Sequence, residues 1–154
     1  MWFIVYVKFI GEVKNLCFFI SILSSAQQNS ISIKSTFNPE TDELNVQQEI
    51  VYINSTEVAL NNIYLHNWAN SFKDRKTPLS KRFIKDFKKT LYFSKKEDLG
   101  QTTIKNLTID FETTEYIEVE NHADIIEIPL LNSLKPSDTA KISITYVIKI
   151  PNAK

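Results

Sequence analysis

Apolar and polar residues alternate cleanly from Lys141 to Ile150. Ile142, Ile144, Tyr146, Ile148 and Ile150 fall on one side, and Lys141, Ser143, Thr145, Val147 and Lys149 on the other. A period of two is that of a β-strand, whose successive side chains point to opposite faces. The same pattern recurs upstream. Ile31, Ile33 and Phe37 oppose Ser32, Lys34 and Thr36, which predicts a half-buried strand. Asn38-Pro39-Glu40-Thr41-Asp42 follows as turn chemistry, proline presetting φ and the Asx side chains bonding the backbone. Leu44, Val46, Ile50 and Tyr52 then share a face of a long second strand reaching Ile53, and a third strand carries Leu60, Ile63 and Leu65 to His66. Ser30 to His66 thus reads as three successive strands.

A period of four interrupts the strands. Thr77 suits a helix N-cap and Pro78 the first helical position, where its missing N–H costs nothing. Leu79, Phe83, Phe87 and Leu91 follow at four-residue spacing, with Ile84 beside them and Lys81, Arg82, Lys85, Lys88 and Lys89 between. This predicts an amphipathic helix of about three turns laid on the sheet by its apolar stripe, although a basic amphipathic helix also suits a membrane surface or a partner. Beyond Asp98-Leu99-Gly100 the period of two resumes. One strand carries Ile104, Leu107, Ile109 and Phe111, a short edge strand falls within Glu115 to Val119, and another carries Ile126, Ile128 and Leu130. Leu131 to Asp138 reads as a turn. Many short strands with turn signals and one inserted helix predict a mainly β fold, an antiparallel β-sandwich of saddle-like shape.

Charge adds one feature. The chain has 18 basic and 18 acidic residues in 154, so it lacks the basic excess of a general nucleic-acid binder. The charges are segregated, however: Lys73 to Lys96 is strongly basic, and Glu97 to Glu127 strongly acidic. Solvated faces of a helix and of strands are the expected reading of both runs, and a basic patch for a phosphate or an acidic partner is the alternative. The basic run lacks the aromatic interleaving that stacks bases.

Recognisable catalytic chemistry is missing from the sequence. His66 and His122, its two histidines, stand in no paired ligand spacing, and a zinc site takes three or four ligands. There is no H-E-x-x-H and no G-x-S-x-G. Gly11 and Gly100 cannot build a phosphate loop, and Cys17 alone cannot form an internal disulfide. Asn54-Ser55-Thr56 and Asn106-Leu107-Thr108 match glycosylation acceptors. No catalytic, cofactor or metal residue is therefore expected in this chain.

The N-terminal stretch reads as an export signal. Lys14 precedes the apolar run Leu16 to Leu23, and Ser24-Ser25-Ala26 provides small residues for cleavage. Cleavage after Ala26 would leave Gln27 as the mature N-terminus, with residues 1–26 removed and residues 27–154 forming one domain. Residues 1–12 form a second apolar run, read as an extension ahead of a true start at Val13. The alternative is an uncleaved membrane anchor, and membrane association is expected only through that segment unless the basic helix serves a membrane surface. The expected location is periplasmic or extracellular.

The expected order of elements carries a family resemblance. The strand, Pro-containing turn and long second strand from Ile31 to Ile53, with Ile63-Tyr64-Leu65-His66 ending in a Leu-His pair, begin it. Asn67-Trp68-Ala69-Asn70-Ser71-Phe72 with Lys81-Arg82-Phe83-Ile84 follows, and Leu134-Lys135-Pro136-Ser137-Asp138 with Ile142 to Tyr146 closes it. Together they resemble the N-terminal domain of zinc aminopeptidases of the aminopeptidase N and leukotriene hydrolase type, in the branch found in Bacteroidetes. The resemblance spans nearly all of Ser30 to Lys154, and its motifs are moderately specific. It implies a non-catalytic domain that packs on a catalytic metallopeptidase domain and helps wall the peptide cleft. Zinc would belong to that other domain, and the chain would be a truncated part of the whole. Trp68 and Phe72 are the candidate interface residues, because aromatic loop residues anchor interfaces; the alternative is that both fill the sandwich core. A free-standing secreted binding or adhesion module is the second functional reading.

Overall fold

A computed structural model describes residues 28–152. The predicted signal segment 1–26 and its Ala26–Gln27 junction lie outside the described residues. Two antiparallel sheets of unequal width make up the body. The wider has five strands in the order β1 (Ser30–Asn38), β2 (Glu43–Ile53), β8 (Thr139–Lys149), β4 (Gln101–Ile109) and β5 (Glu112–Thr113). The narrower has three, in the order β3 (Leu60–His66), β7 (His122–Leu134) and β6 (Ile117–Val119). The fold is mainly β, as the period-two pattern predicts, with its helical residues inserted between β3 and β4.

The core lies between the sheets. Ile50, Leu107, Ala140, Ile142 and Ile144 of the wide sheet meet Ile63, Ile126, Ile128 and Leu134 of the narrow one. One row of the wide sheet shows where the cover stops. Ile31, Ile50, Ile142 and Ile109 are successive register partners across β1, β2, β8 and β4. Ile142 is 1% exposed and Ile50 8%, whereas Ile31 is 63% exposed. The narrow sheet covers β8 and leaves β1 bare. The stripe Ile31, Ile33 and Phe37 therefore points to the core side of the wide sheet, as expected, but is exposed rather than half-buried.

Three further expectations are corrected. β7 runs through the predicted turn to Leu134, so the turn shrinks to Lys135–Asp138. Pro129 disguises the strand; it sits opposite Asn62, where the β3–β7 register shifts, an irregularity that tolerates a residue without an N–H. The helix stops early. α1 covers Pro78–Lys85, and α2 (Thr90–Phe93) is a separate turn. Thr77 caps α1 as predicted, its Oγ1 accepting from the Ser80 N–H at 3.2 Å. Finally, β4 ends at Ile109, and Phe111 lies outside it, exposed. The step from Ile104 to Leu107 on the inner face marks a bulge near Lys105 that shifts the phase of the alternation.

Among the described residues, turns take left-handed backbone without glycine. Asp110 (φ 49°) and Phe111 (φ 73°) form the two-residue β4–β5 loop, the sign pattern of a type I′ hairpin. Asp110 also braces β8: its N–H donates to the Lys141 carbonyl at 2.8 Å, and its Oδ1 accepts from the Lys141 N–H at 2.9 Å. Phe111 contributes little packing and occupies a conformation that costs a side-chain-bearing residue about 1–2 kcal/mol. A Phe111→Gly chain is expected to gain about 0.5–1 kcal/mol after the larger entropy of an unfolded glycine is subtracted. A higher urea midpoint with an unchanged slope is the measurement that checks it.

Candidate interface: an apolar groove at the open end of the sandwich

Where the narrow sheet ends, a groove of about 360 Å³ opens between the layers. Its floor is the wide sheet's inner face: Ile31, Ile50, Ile144, Tyr146 and Ile148. Leu65 and His66 form its opposite wall, at the end of β3, and Trp68 stands at the start of the helical insertion. The groove is mainly apolar, with His66, Asn67 and Thr102 among its lining and one polar pair on its floor. Gln48 takes an inward position between Val46 and Ile50, and the Tyr146 hydroxyl donates to its Oε1 at 2.8 Å. The two are diagonal neighbours on one sheet face, where long side chains reach each other. Burial pushes the Tyr146 hydroxyl above its ordinary value, so it stays a neutral donor. This pair was missed in the sequence. Its signal is Gln48, a polar residue in phase with Val46 and Ile50.

Polar contacts tie the start of the helical insertion to the body and hold the insertion to itself, while Leu91 is the buried member of the predicted apolar stripe. A 3-10 turn, Trp68–Phe72, rests on β4 and β7, and α1 packs on that turn and on α2. Asn70, buried, accepts at Oδ1 from the Thr102 N–H at 2.8 Å. The Asn67 N–H donates to the Asp124 carbonyl at 2.7 Å, and the Thr77 hydroxyl to the Ser71 carbonyl at 2.7 Å. These bonds hold Trp68 at the groove while leaving it 62% exposed.

Trp68 and Phe72, expected together, are separated. Trp68 lines the groove, whereas Phe72 is half-buried in a second cleft with Phe83, Phe87 and Leu91. Neither belongs to the sandwich core. His66 lines the groove at the end of β3, and His122 is exposed at the start of β7. Among the described residues, no group of three or more His, Cys, Asp or Glu side chains is placed to hold a metal ion. Among them too, no helix is long and apolar enough to cross a membrane.

The two glycosylation-type sequences differ in access. Asn106 is exposed on β4. Asn54 is fully buried, its Nδ2 donating to the Val58 and Leu134 carbonyls, each at 2.8 Å. The folded chain offers no amide at Asn54 to modify.

No protein-family model matches the sequence, and no curated protein does. Among solved structures, an M1 zinc metallopeptidase from Deinococcus radiodurans is similar over 77% of this chain and 19% of its own, with 12% identity and a TM-score of 0.44. A mutant M1 zinc metallopeptidase from that organism, bound to a Tyr-Ser-Ala substrate, is similar over 83% of this chain and 21% of its own, with 11% identity and a TM-score of 0.47. A two-domain mutant bound to L-arginine has 12% identity and the same score. The chain spans about a fifth of the length of these structures.

Proposed function

We propose that this domain is a non-catalytic, N-terminal-type module of an exported zinc-aminopeptidase-like protein, and that it packs through its bare sheet face against a metallopeptidase catalytic domain. One observation carries the docking surface. Ile31, Ile33 and Phe37 are in phase with the core yet exposed, beside a groove flanked by Trp68. An in-phase apolar stripe left uncovered is the signature of a surface that another body covers. The choice of a peptidase domain as that body rests on the sequence resemblance in Ile31–Ile53, Ile63–His66 and Leu134–Tyr146. In this reading zinc and the peptide-cleaving residues belong to the partner domain, and this chain supplies a wall and a brace. Export would make Gln27 the mature N-terminus.

The test is co-expression with an H-E-x-x-H polypeptide encoded at the same locus. The parent chain is expected to co-purify with it. A chain carrying Ile31→Asp and Ile33→Asp is expected to lose that association while keeping its melting midpoint within a few degrees, because both positions are already wet. Retained association would remove the assigned face. A locus without such a polypeptide, with the chain running alone, would favour the free-standing binding module. Zinc-dependent peptidase activity of the chain alone would overturn the non-catalytic reading.

A further inference from the structure

α1 ends in a way that puts a large aromatic side chain into solvent. The Lys88 N–H donates to the Phe83 carbonyl at 2.7 Å, and the Phe87 N–H to the Ile84 carbonyl at 3.0 Å. This is the paired bonding of a Schellman stop, with Phe87 at the left-handed position that glycine ordinarily takes. Phe87 has φ 59° and is 88% exposed. It bears backbone strain without packing to offset it, an arrangement that points to a use outside the fold. Phe93 is exposed nearby in the chain, its ring edge-on to Tyr92 at 5.2 Å. Between α1 and α2 lies a cleft of about 410 Å³, walled by Phe83, Phe87 and Leu91 and rimmed by Lys88 and Lys89.

The charge around this cleft is mainly positive, with Asp98 as the acidic residue of its lining. From Lys73 to Lys96 the only acidic residues are Asp74 and Asp86. Asp86 pairs with Arg82 at 3.7 Å. Lys81, Lys85, Lys88 and Lys89 add to the basic excess, and the Lys88 Nζ lies 5.9 Å from the centre of the Phe83 ring. Exposed aromatics flanked by an excess of lysines match a surface that is apolar beneath and anionic on top.

We propose that the α1–α2 face docks on an anionic phospholipid bilayer, with Phe87 entering the headgroup–acyl boundary and Lys88 and Lys89 meeting lipid phosphates. Interfacial binding of this kind combines buried apolar area with attraction to anionic lipid. It uses a face other than the bare β-sheet, so the domain would hold a partner on one surface and a membrane on another.

The experiment is vesicle co-sedimentation of the full chain, using phosphatidylcholine vesicles and phosphatidylcholine–phosphatidylglycerol vesicles at low and high salt. Binding to the anionic vesicles is expected to exceed binding to the neutral ones and to weaken with salt. Lys88→Gln with Lys89→Gln is expected to cut anionic binding by about tenfold or more and leave neutral binding unchanged. Phe87→Gly is the decisive variant. It is expected to raise the melting midpoint by relieving strain and yet lower vesicle binding by about tenfold or more. Three results would overturn the proposal: equal binding to both vesicle types, variants that bind like the parent, or vesicles left unbound while polyglutamate is captured. The second would move the membrane contact to the N-terminal apolar run, and the third would make the face a site for an acidic protein.

Discussion

A chain carrying Asn54→Asp is expected to lose about 4 kcal/mol of stability at neutral pH, enough to unfold many domains of this size. Asn54 is the knot between two turns. Its N–H donates to the Asp138 carbonyl at 2.9 Å, and its carbonyl accepts from the Ser137 N–H at 2.8 Å. Its Nδ2 bridges the Val58 and Leu134 carbonyls, and its Oδ1 accepts from the Thr56 N–H and hydroxyl. One side chain thereby ties the end of β2 to the entry of β3 and the end of β7. The substitution keeps the shape, replaces the two donated bonds by repulsion between oxygens, and buries a charge. Asn54→Ala, which leaves the carbonyls unpaired without adding charge, is expected to cost about 3 kcal/mol. The two variants separate by pH. The new carboxyl would titrate higher in the folded chain than its unfolded value of about 3.9. Its extra penalty is then full above the folded value and fades as pH falls toward the unfolded one. Thermal midpoints of the two variants, measured from neutral to about pH 4, should converge at the acid end. A constant gap would show that the carboxylate is not buried as charge.

Ile142→Ala is expected to cost about 3–4 kcal/mol, whereas Ile31→Ala costs less than about 1 kcal/mol. The comparison is informative because both are isoleucines in one row on one sheet face. Ile142 is packed beneath the narrow sheet, so its truncation loses transfer energy and leaves a cavity. Ile31 lies beyond the cover, so water already meets most of it. Urea denaturation of the two variants gives the contrast directly. A cost at Ile31 near that at Ile142 would mean that something covers β1 in solution, and dilution would then show whether it is a second copy.

The same row explains how far the sequence could be read. Alternation specified strands β2, β3 and β8 closely, and it put Ile31, Ile33 and Phe37 on the correct face. It could not say that the face was bare, because alternation records which way a side chain points and not how wide the opposing sheet is. Phe87 was misread for a related reason. Four-residue spacing through Leu79, Phe83, Phe87 and Leu91 satisfies a helix, but the chain turns left-handed at Phe87 and begins a new turn at Thr90. Without glycine the stop carried no marker. Of the candidate site, Trp68 was legible as an aromatic in a polar loop. The Tyr146–Gln48 pair was not, because Gln48, polar in phase with Val46 and Ile50, gains a partner only once the register makes the two neighbours.

The bare strand has an edge as well as a face. β1 pairs with β2 along its whole length, and at the opposite border of the sheet β5 has two residues against its nine. The outer side of β1 thus presents a long row of backbone donors and acceptors, with Lys34 as the only charged side chain along it. Such a row is a template for another strand. Two copies meeting edge to edge would continue the sheet to twice its width and bring their bare isoleucines together. In the proposed reading, burial of this edge by a partner domain and pairing with a second copy would compete for the same strand. A partner that covers β1 would then have to arrive faster than another β1.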